Sequence, residues 1–304
     1  MSRILLVGDP MIDRHWFCSA KGISPEAPIV NWVVDRMEDN LGGAANVLAN
    51  LCSLSRIYDD DVEVIFAGCI PSEITTVLNE NGFCNNYRSF DGNRAPTIKN
   101  RIVDLDVHGH RVRFDQDYKK PPEEDKQENL IEWIKSQDKF DVAVISDYNH
   151  GQVTRELIDT VIENSFISVA DPKGLDRDKY KGVTIITPNI TETEKLIPEE
   201  PTPVLRAIEL SKHTESKIVQ KLGRDGGVLI DKDQRHDFLA FSEPGALIDP
   251  TGAGDTFISM LAFKLATGET LLSSVESANK MAGVSVTYIG CYIPLPGDVS
   301  KWNL

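Results

Sequence analysis

The sequence contains no Cys-x-x-Cys pair, no apolar run long enough to cross a membrane and no Gly-x-x-x-x-Gly-Lys-Ser/Thr loop. Each absence removes a class of protein. The five cysteines, Cys18, Cys52, Cys69, Cys84 and Cys291, are odd in number and widely spaced. Neither a disulfide framework nor a cysteine zinc site is therefore expected. The apolar run that follows Met1 is too short for the core of a signal peptide, and a reducing cytoplasm is the expected compartment. Basic residues are also scarce: 32 Lys and Arg stand against 47 Asp and Glu, a net charge of −15. That balance opposes partnership with nucleic acid or an anionic membrane, and any anionic ligand must be held by local Lys and Arg against the global field. The missing P-loop argues against that class of kinase. There is no internal repeat and no low-complexity tract. His108, His110 and His150 lack metal-ligand spacing with carboxylates and read as structural or solvent-facing.

What is present is a globular composition, 41% hydrophobic and 26% charged, in 304 residues, enough to bury a large core. Short apolar runs at 3–7, 62–67, 141–145, 166–170, 182–186, 217–220, 227–230 and 236–240 read as strands. Helical patterns occupy 43–54, 72–81, 123–135, 154–163, 191–197, 204–213 and most of 252–288. This alternation predicts an α/β fold with a parallel sheet covered on both faces. Residues 11–17 with 29–36, and 97–104 with 109–114, have β character without intervening helices. They predict a small sheet that serves as a lid and pairs with a second copy, or else two surface hairpins. The expectation is a single domain over 1–304, with a lid from about 11–38 and 97–116.

Residues 249–257 read Asp-Pro-Thr-Gly-Ala-Gly-Asp-Thr-Phe and precede a helical stretch. Small residues at a helix N-terminus leave unpaired amides that can hold an anion, and Asp255 beside them could take a proton from an attacking hydroxyl. An ordinary Gly-rich turn with Asp255 near a cap is the alternative. Gly8-Asp9-Pro-Met-Ile-Asp13 sets two carboxylates after the first strand, suited to sugar hydroxyls or to turn formation. Leu41-Gly42-Gly43-Ala44-Ala45-Asn46 lets a polyhydroxylated ligand lie against the backbone, or allows close helix packing. Strand alternation sends Lys99 and Arg101 to one face, and likewise Arg111 and Arg113. Such a face could grip a phosphate monoester or simply face solvent. Asp171 and Lys173 end another strand and could reach phosphates, with helix capping as the competing role for Asp171.

The 249–257 string resembles a signature of ribokinase-like (PfkB) carbohydrate kinases, and Gly-Gly-Ala-Ala-Asn at 42–46 resembles the other. Further strings look like the kinase domain of heptose 7-phosphate kinases: Ile23-Ser-Pro-Glu-Ala-Pro28, Pro96-Thr-Ile-Lys-Asn-Arg101, Ser146-Asp-Tyr-Asn-His-Gly151, Asp171-Pro-Lys-Gly174 and Thr187-Pro-Asn-Ile-Thr-Glu192. The resemblance implies a three-layer α/β sandwich with a mainly parallel sheet and a β-strand lid. It implies transfer of the ATP γ-phosphoryl group to the anomeric hydroxyl of D-glycero-D-manno-heptose 7-phosphate, on the route to ADP-heptose. Asp255 would be the base, with Gly252, Ala253 and Gly254 as the anion hole. Asp13, Gly42, Gly43, Asn46, Lys99, Arg101, Arg113, Asp171 and Lys173 would bind the sugar phosphate. Asn189, Glu192, Lys221, Gly223 and Asn279 would serve the nucleotide, and Glu192 would hold Mg²⁺ through water, unless Asn189 and Glu192 only cap a helix. ATP is the implied co-substrate and Mg²⁺ the cofactor, with a monovalent cation as a further candidate. The implied assembly is a homodimer through the lid strands. Many such kinases are fused to an adenylyltransferase; the chain ends at Leu304, so that second activity is expected from a separate partner. Two positions depart from the pattern: Pro250, and Tyr288-Ile-Gly-Cys-Tyr292 in place of a Lys-x-Gly-Thr/Ser element. The alternatives are a kinase for another sugar, a catalytically silent sugar- or nucleotide-binding protein of the same fold, and a scaffold subunit.

Overall fold

A computed structural model describes the chain except for residues 59–60, 108, 242–248 and 303–304; His108 therefore lies outside the described residues. In chain order the strands are β1 (Ser2–Gly8), β2 (Pro10–Ile23), β3 (Val30–Gly43), β4 (Val62–Gly68), β5 (Tyr87–Ser89), β6 (Thr97–Asp104) and β7 (Gly109–Gln116). They continue with β8 (Phe140–Asp147), β9 (Ser165–Pro172), β10 (Ile185–Ile186), β11 (Lys217–Lys221), β12 (Gly227–Asp231) and β13 (Gln234–Phe238). The helices are α1 (Ala44–Tyr58), α2 (Ser72–Glu80), α3 (Glu124–Lys135), α4 (Arg155–Glu163), α5 (Ile190–Leu196), α6 (Pro203–Thr214), α7 (Ala253–Ala266), α8 (Leu271–Ser285) and α9 (Pro296–Trp302).

Nine strands form the main sheet in the order β13-β12-β11-β10-β9-β8-β1-β4-β5. Strand β1 is its pivot, because Ile4, Leu5, Leu6 and Val7 are all fully buried. Alternation sends Ile4 and Leu6 to one face and Leu5 and Val7 to the other, into two separate apolar cores. The first core is closed by α1, α2, α7 and α8, the second by α3, α4 and α6. Both faces are thus covered, as the apolar strand runs require. From β1 the chain leaves to β4 on one side and later returns to β8 on the other, so the strand order reverses between β1 and β8. Such a reversal opens a crevice at the carboxyl ends of the strands.

The parallel expectation fails at one edge. Strands β11, β12 and β13 pair antiparallel, since turns at 222–226 and 232–233 are too short for the crossover that parallel strands need. Strand β10 shrinks to Ile185 and Ile186, while β5 and α9 go beyond the elements read from the sequence.

The second sheet has the order β3-β2-β6-β7, with β2 and β6 parallel and the outer pairs antiparallel. The two segments distant in sequence thus do meet in one sheet. At its root Met11 pairs with Gly42 and Pro10 with Gly43. A Cβ at Gly43, whose φ is +55°, would lie 2.6 Å from the Asp9 carbonyl oxygen, so only glycine closes this corner.

Candidate active site

Two cavities of about 440 and 450 Å³ meet at the N-terminus of α7. Helix α7 starts there because Gly252, at φ +76°, reverses the chain into the first turn. The 440 Å³ cavity lies under the four-stranded sheet and is lined by Gly252 and Asp255, with Asp13, Gly42, Gly43, Lys99, Arg101, Arg113 and Lys173. The 450 Å³ cavity is lined by Ala253 and Gly254, with Lys221, Gly223 and Asn279, and is otherwise largely apolar, with Phe238 and Phe257 among its walls. The first turn of one helix is therefore the partition between a charged chamber and an apolar one. Its leading amides lack partners within the helix, although that of Ala253 donates to the Pro250 carbonyl at 3.2 Å.

Asp255 faces the charged chamber and is 2% exposed. Asn46 donates to its Oδ2 at 3.0 Å and the Tyr148 hydroxyl to its Oδ1 at 2.7 Å. Burial pushes the Asp255 carboxyl up to about 6, against the pull of those two hydrogen bonds. At neutral pH it is ionised yet basic enough to accept a proton, the combination a general base requires.

Behind the partition lies a buried charge junction. Asp171 accepts from Lys173 at 2.8 Å and from Lys221 at 2.6 Å, and Lys173 also donates to Glu192 at 2.6 Å. Burial works against the charge on Asp171, but the two lysines outweigh it and hold its carboxyl below the usual range. Burial likewise opposes the charge on Lys173, and Asp171 with Glu192 raises it above the ordinary lysine value. Lys173 lines one cavity and Lys221 the other, so Asp171 ties a cation to each chamber.

Several sequence-predicted residues sit differently from expectation. Asn46 is fully buried and orients Asp255 instead of lining the cavity. Asp9 is buried and accepts backbone N–H groups of Tyr148, His150 and Gln152, so its carboxylate is a loop anchor and not a group open to sugar hydroxyls. Asn189 and Glu192 form a reciprocal capping box on α5 and line neither cavity. Asn279 donates to the Leu239 carbonyl at 2.8 Å. A register shift between Ile102 and Val103 breaks the alternation, and Arg111 turns to Asp104 at 3.1 Å, leaving Arg113 to face the cavity.

The basic residues are all engaged. Arg101 pairs with Asp13, Arg113 with Asp115 at 3.0 Å, and Lys99 with Asp115 at 3.2 Å and with Asp117. Asp117 also takes Lys119 at 2.9 Å. Burial opposes its ionisation, but Lys99 and Lys119 outweigh it and hold the carboxyl down at about 2. His150, read as structural or solvent-facing, is buried and lines the charged chamber; burial, then Lys99, lowers it to about 4, so it is neutral at pH 7. His110 lies 3.8 Å from Asp249. Sequence reasoning missed Tyr148, Asp117, Lys119 and Cys291 in this chamber. Tyr148 lies in the Ser146–Gly151 segment, but nothing in its spacing announces a contact 107 positions away.

The described residues contain no cluster of three or more His, Cys, Asp or Glu able to hold a metal ion. Glu192, buried and lining neither cavity, keeps only an Oε2 lone pair for a metal-bound water: Oε1 accepts from the Asn189 side-chain amide and from Lys173, and Oε2 accepts from the Asn189 backbone N–H.

Comparison with known proteins identifies the family. The pfkB family carbohydrate kinase pattern matches residues 1–298. The chain is 29% identical over 299 residues to the bifunctional protein HldE of Hahella chejuensis, covering 95% of this chain and 61% of that protein. It is 31% identical over 318 residues to HldE of Helicobacter hepaticus, covering 99% and 63%. It thus spans about three fifths of the length of these curated relatives. The crystal structure of ribokinase from Thermotoga maritima superposes with a TM-score of 0.75 at 19% identity, covering 100% of this chain and 99% of that one, a likeness of fold. The chain belongs to the pfkB family of carbohydrate kinases, phosphotransferases that act on a sugar hydroxyl.

Proposed function

We propose that the chain transfers the γ-phosphoryl group of ATP to the anomeric hydroxyl of D-glycero-D-manno-heptose 7-phosphate. The observation that carries this reading is the partition: Asp255 faces a chamber rich in cations, while Gly254, one residue away, faces the apolar one. Adenine suits the apolar chamber, and a phosphorylated sugar suits the chamber of Lys99, Arg101, Arg113 and Lys119. The sugar identity rests on the motif resemblance and on the likeness to HldE.

In this mechanism the anomeric hydroxyl oxygen bonds to the γ-phosphorus, the bond from that phosphorus to the β–γ bridging oxygen breaks, and ADP leaves. The hydroxyl proton passes to Asp255. Amides at the start of α7, with Lys221 and Lys173 beside them, stabilise the charge on the transferring group. Gly42 and Gly43 admit the sugar ring, Asp13 and Arg101 orient its hydroxyls, and Lys99 and Arg113 release their carboxylate partners to take the phosphate. Glu192 would hold Mg²⁺ through water, and the ion neutralises triphosphate charge when bound. The four-stranded sheet closes over the sugar, and a second copy covers its outer face, where Met37, Val112 and Phe114 are exposed. An adenylyltransferase would consume the product. The five cysteines are free, which fits a cytoplasmic location, and among the described residues no helix is long and apolar enough to cross a membrane.

The test is ATP consumption against heptose 7-phosphate, fructose phosphates, ribose and fructose. Heptose 7-phosphate should give the highest kcat/KM, and Lys99→Ala should raise its KM by about tenfold or more while leaving KM for ATP unchanged. Preference for an unphosphorylated sugar, or an unchanged KM in Lys99→Ala, would contradict the assignment.

A further inference from the structure

We infer that Tyr148 is a positioning residue for the base: its phenol fixes the Asp255 carboxylate toward the sugar, and the loop carrying it is built to hold that contact. This rests on the reading of Asp255 as the base. The two donors to Asp255 come from separate elements, Asn46 from α1 and Tyr148 from the segment after β8. Each carboxylate oxygen therefore has one fixed donor and keeps a lone pair for the substrate hydroxyl.

The loop is anchored independently of Asp255. The Asp9 carboxylate, at the end of β1, accepts the backbone N–H of Tyr148 at 2.9 Å, of His150 at 3.1 Å and of Gln152 at 3.2 Å. Next to Tyr148, the fully buried Asp147 accepts from Lys179 at 2.5 Å and from the Tyr180 hydroxyl at 2.6 Å. Asn149 completes the turn at φ +58°, a left-handed conformation that asparagine adopts more readily than other residues with a side chain. Two buried carboxylates and a left-handed asparagine thus shape a short loop whose tyrosine enters the cavity.

The charged groups facing Asp255 are Asp171, which pushes its carboxyl up, and Lys173, which pulls it down, with Lys221 bonded to Asp171 and the Cys291 thiol at the chamber wall. Burial raises the Asp255 carboxyl most, and the Asn46 and Tyr148 hydrogen bonds oppose that rise. Losing the Tyr148 donor leaves burial and Asp171 less opposed, so the base takes up its proton at a higher pH.

The experiment is the pH profile of kcat/KM in Tyr148→Phe, which keeps the ring and removes the hydroxyl. The acid limb should move up by about one pH unit, with kcat at pH 7 down about tenfold and KM for ATP within about twofold. Site-specific 3-fluorotyrosine at position 148, a stronger donor of nearly the same shape, should move the limb down and serves if the phenylalanine variant does not fold. An unmoved limb in either protein, whatever the loss of rate or stability, overturns the inference. An unmoved limb beside an inactive Asp255→Asn overturns Tyr148 alone, whereas an active Asp255→Asn removes the base assignment beneath it.

Discussion

Asp255 and Asp9 are both buried carboxyls pushed up to about 6, and they are used differently. For Asp9 the causes are burial and then nearby Asp147, and its three backbone donors pull the other way. For Asp255 the elevated value suits the proposed role of base, and it has a consequence for folding. The unfolded carboxyl titrates near 3.8, so between about pH 4 and 6 the folded chain holds a proton that the unfolded chain has released. The stability contribution of Asp255 therefore rises as pH falls through 6 and is fully lost above it, a penalty on the order of 3 kcal/mol at neutral pH. Asp255→Asn removes the titration. Its melting temperature relative to wild type should climb between pH 4.5 and 7.5, by on the order of 5 °C. Calorimetry at the two pH values checks this, and a difference that does not change with pH would contradict it.

At the scale of elements, the first turn of α7 does two separable jobs. Gly252 turns the chain at φ +76°, and a Cβ there would lie 3.0 Å from the Asn46 amide nitrogen that holds Asp255. Gly254 keeps the partition thin: a Cβ there would sit 3.6 Å from Lys221 Nζ and 3.7 Å from Asp171, in ordinary contact. Gly252→Ala should cost about 1–2 kcal/mol of stability through backbone strain. Gly254→Ala should melt close to wild type yet lose turnover, because its methyl group projects toward the charge junction. Thermal denaturation beside steady-state rates separates the two, and equal stabilities would contradict the division. Much of this level was legible in the sequence. The apolar run at Ile4–Val7, the small residues opening α1 and the Asp-Pro-Thr-Gly-Ala-Gly-Asp string each announce an element through local pattern. Local pattern could not place Arg111, because the bulge beside Val103 belongs to the pairing of two strands and not to either strand alone. It could not reveal that Asp9 is spent on a loop 139 positions away, nor that Tyr148 reaches Asp255. Those contacts are made by the crossing of β1, β8 and α7.

Over the whole molecule, a net charge of −15 surrounds a chamber lined by Lys99, Arg101, Arg113, Lys119 and Lys173. Each of these cations has a carboxylate partner, which keeps the chamber near neutrality and leaves an incoming phosphate to compete for the cations. The reversal of strand order between β1 and β8 opens the crevice, the four-stranded sheet roofs it, and α7 divides it. The proposed mechanism gives the proton transfer to one carboxylate, and its most direct test is the turnover of Asp255→Asn with ATP and heptose 7-phosphate. The account predicts a folded protein whose kcat falls by about a thousandfold or more. Turnover within a few-fold of wild type would contradict it.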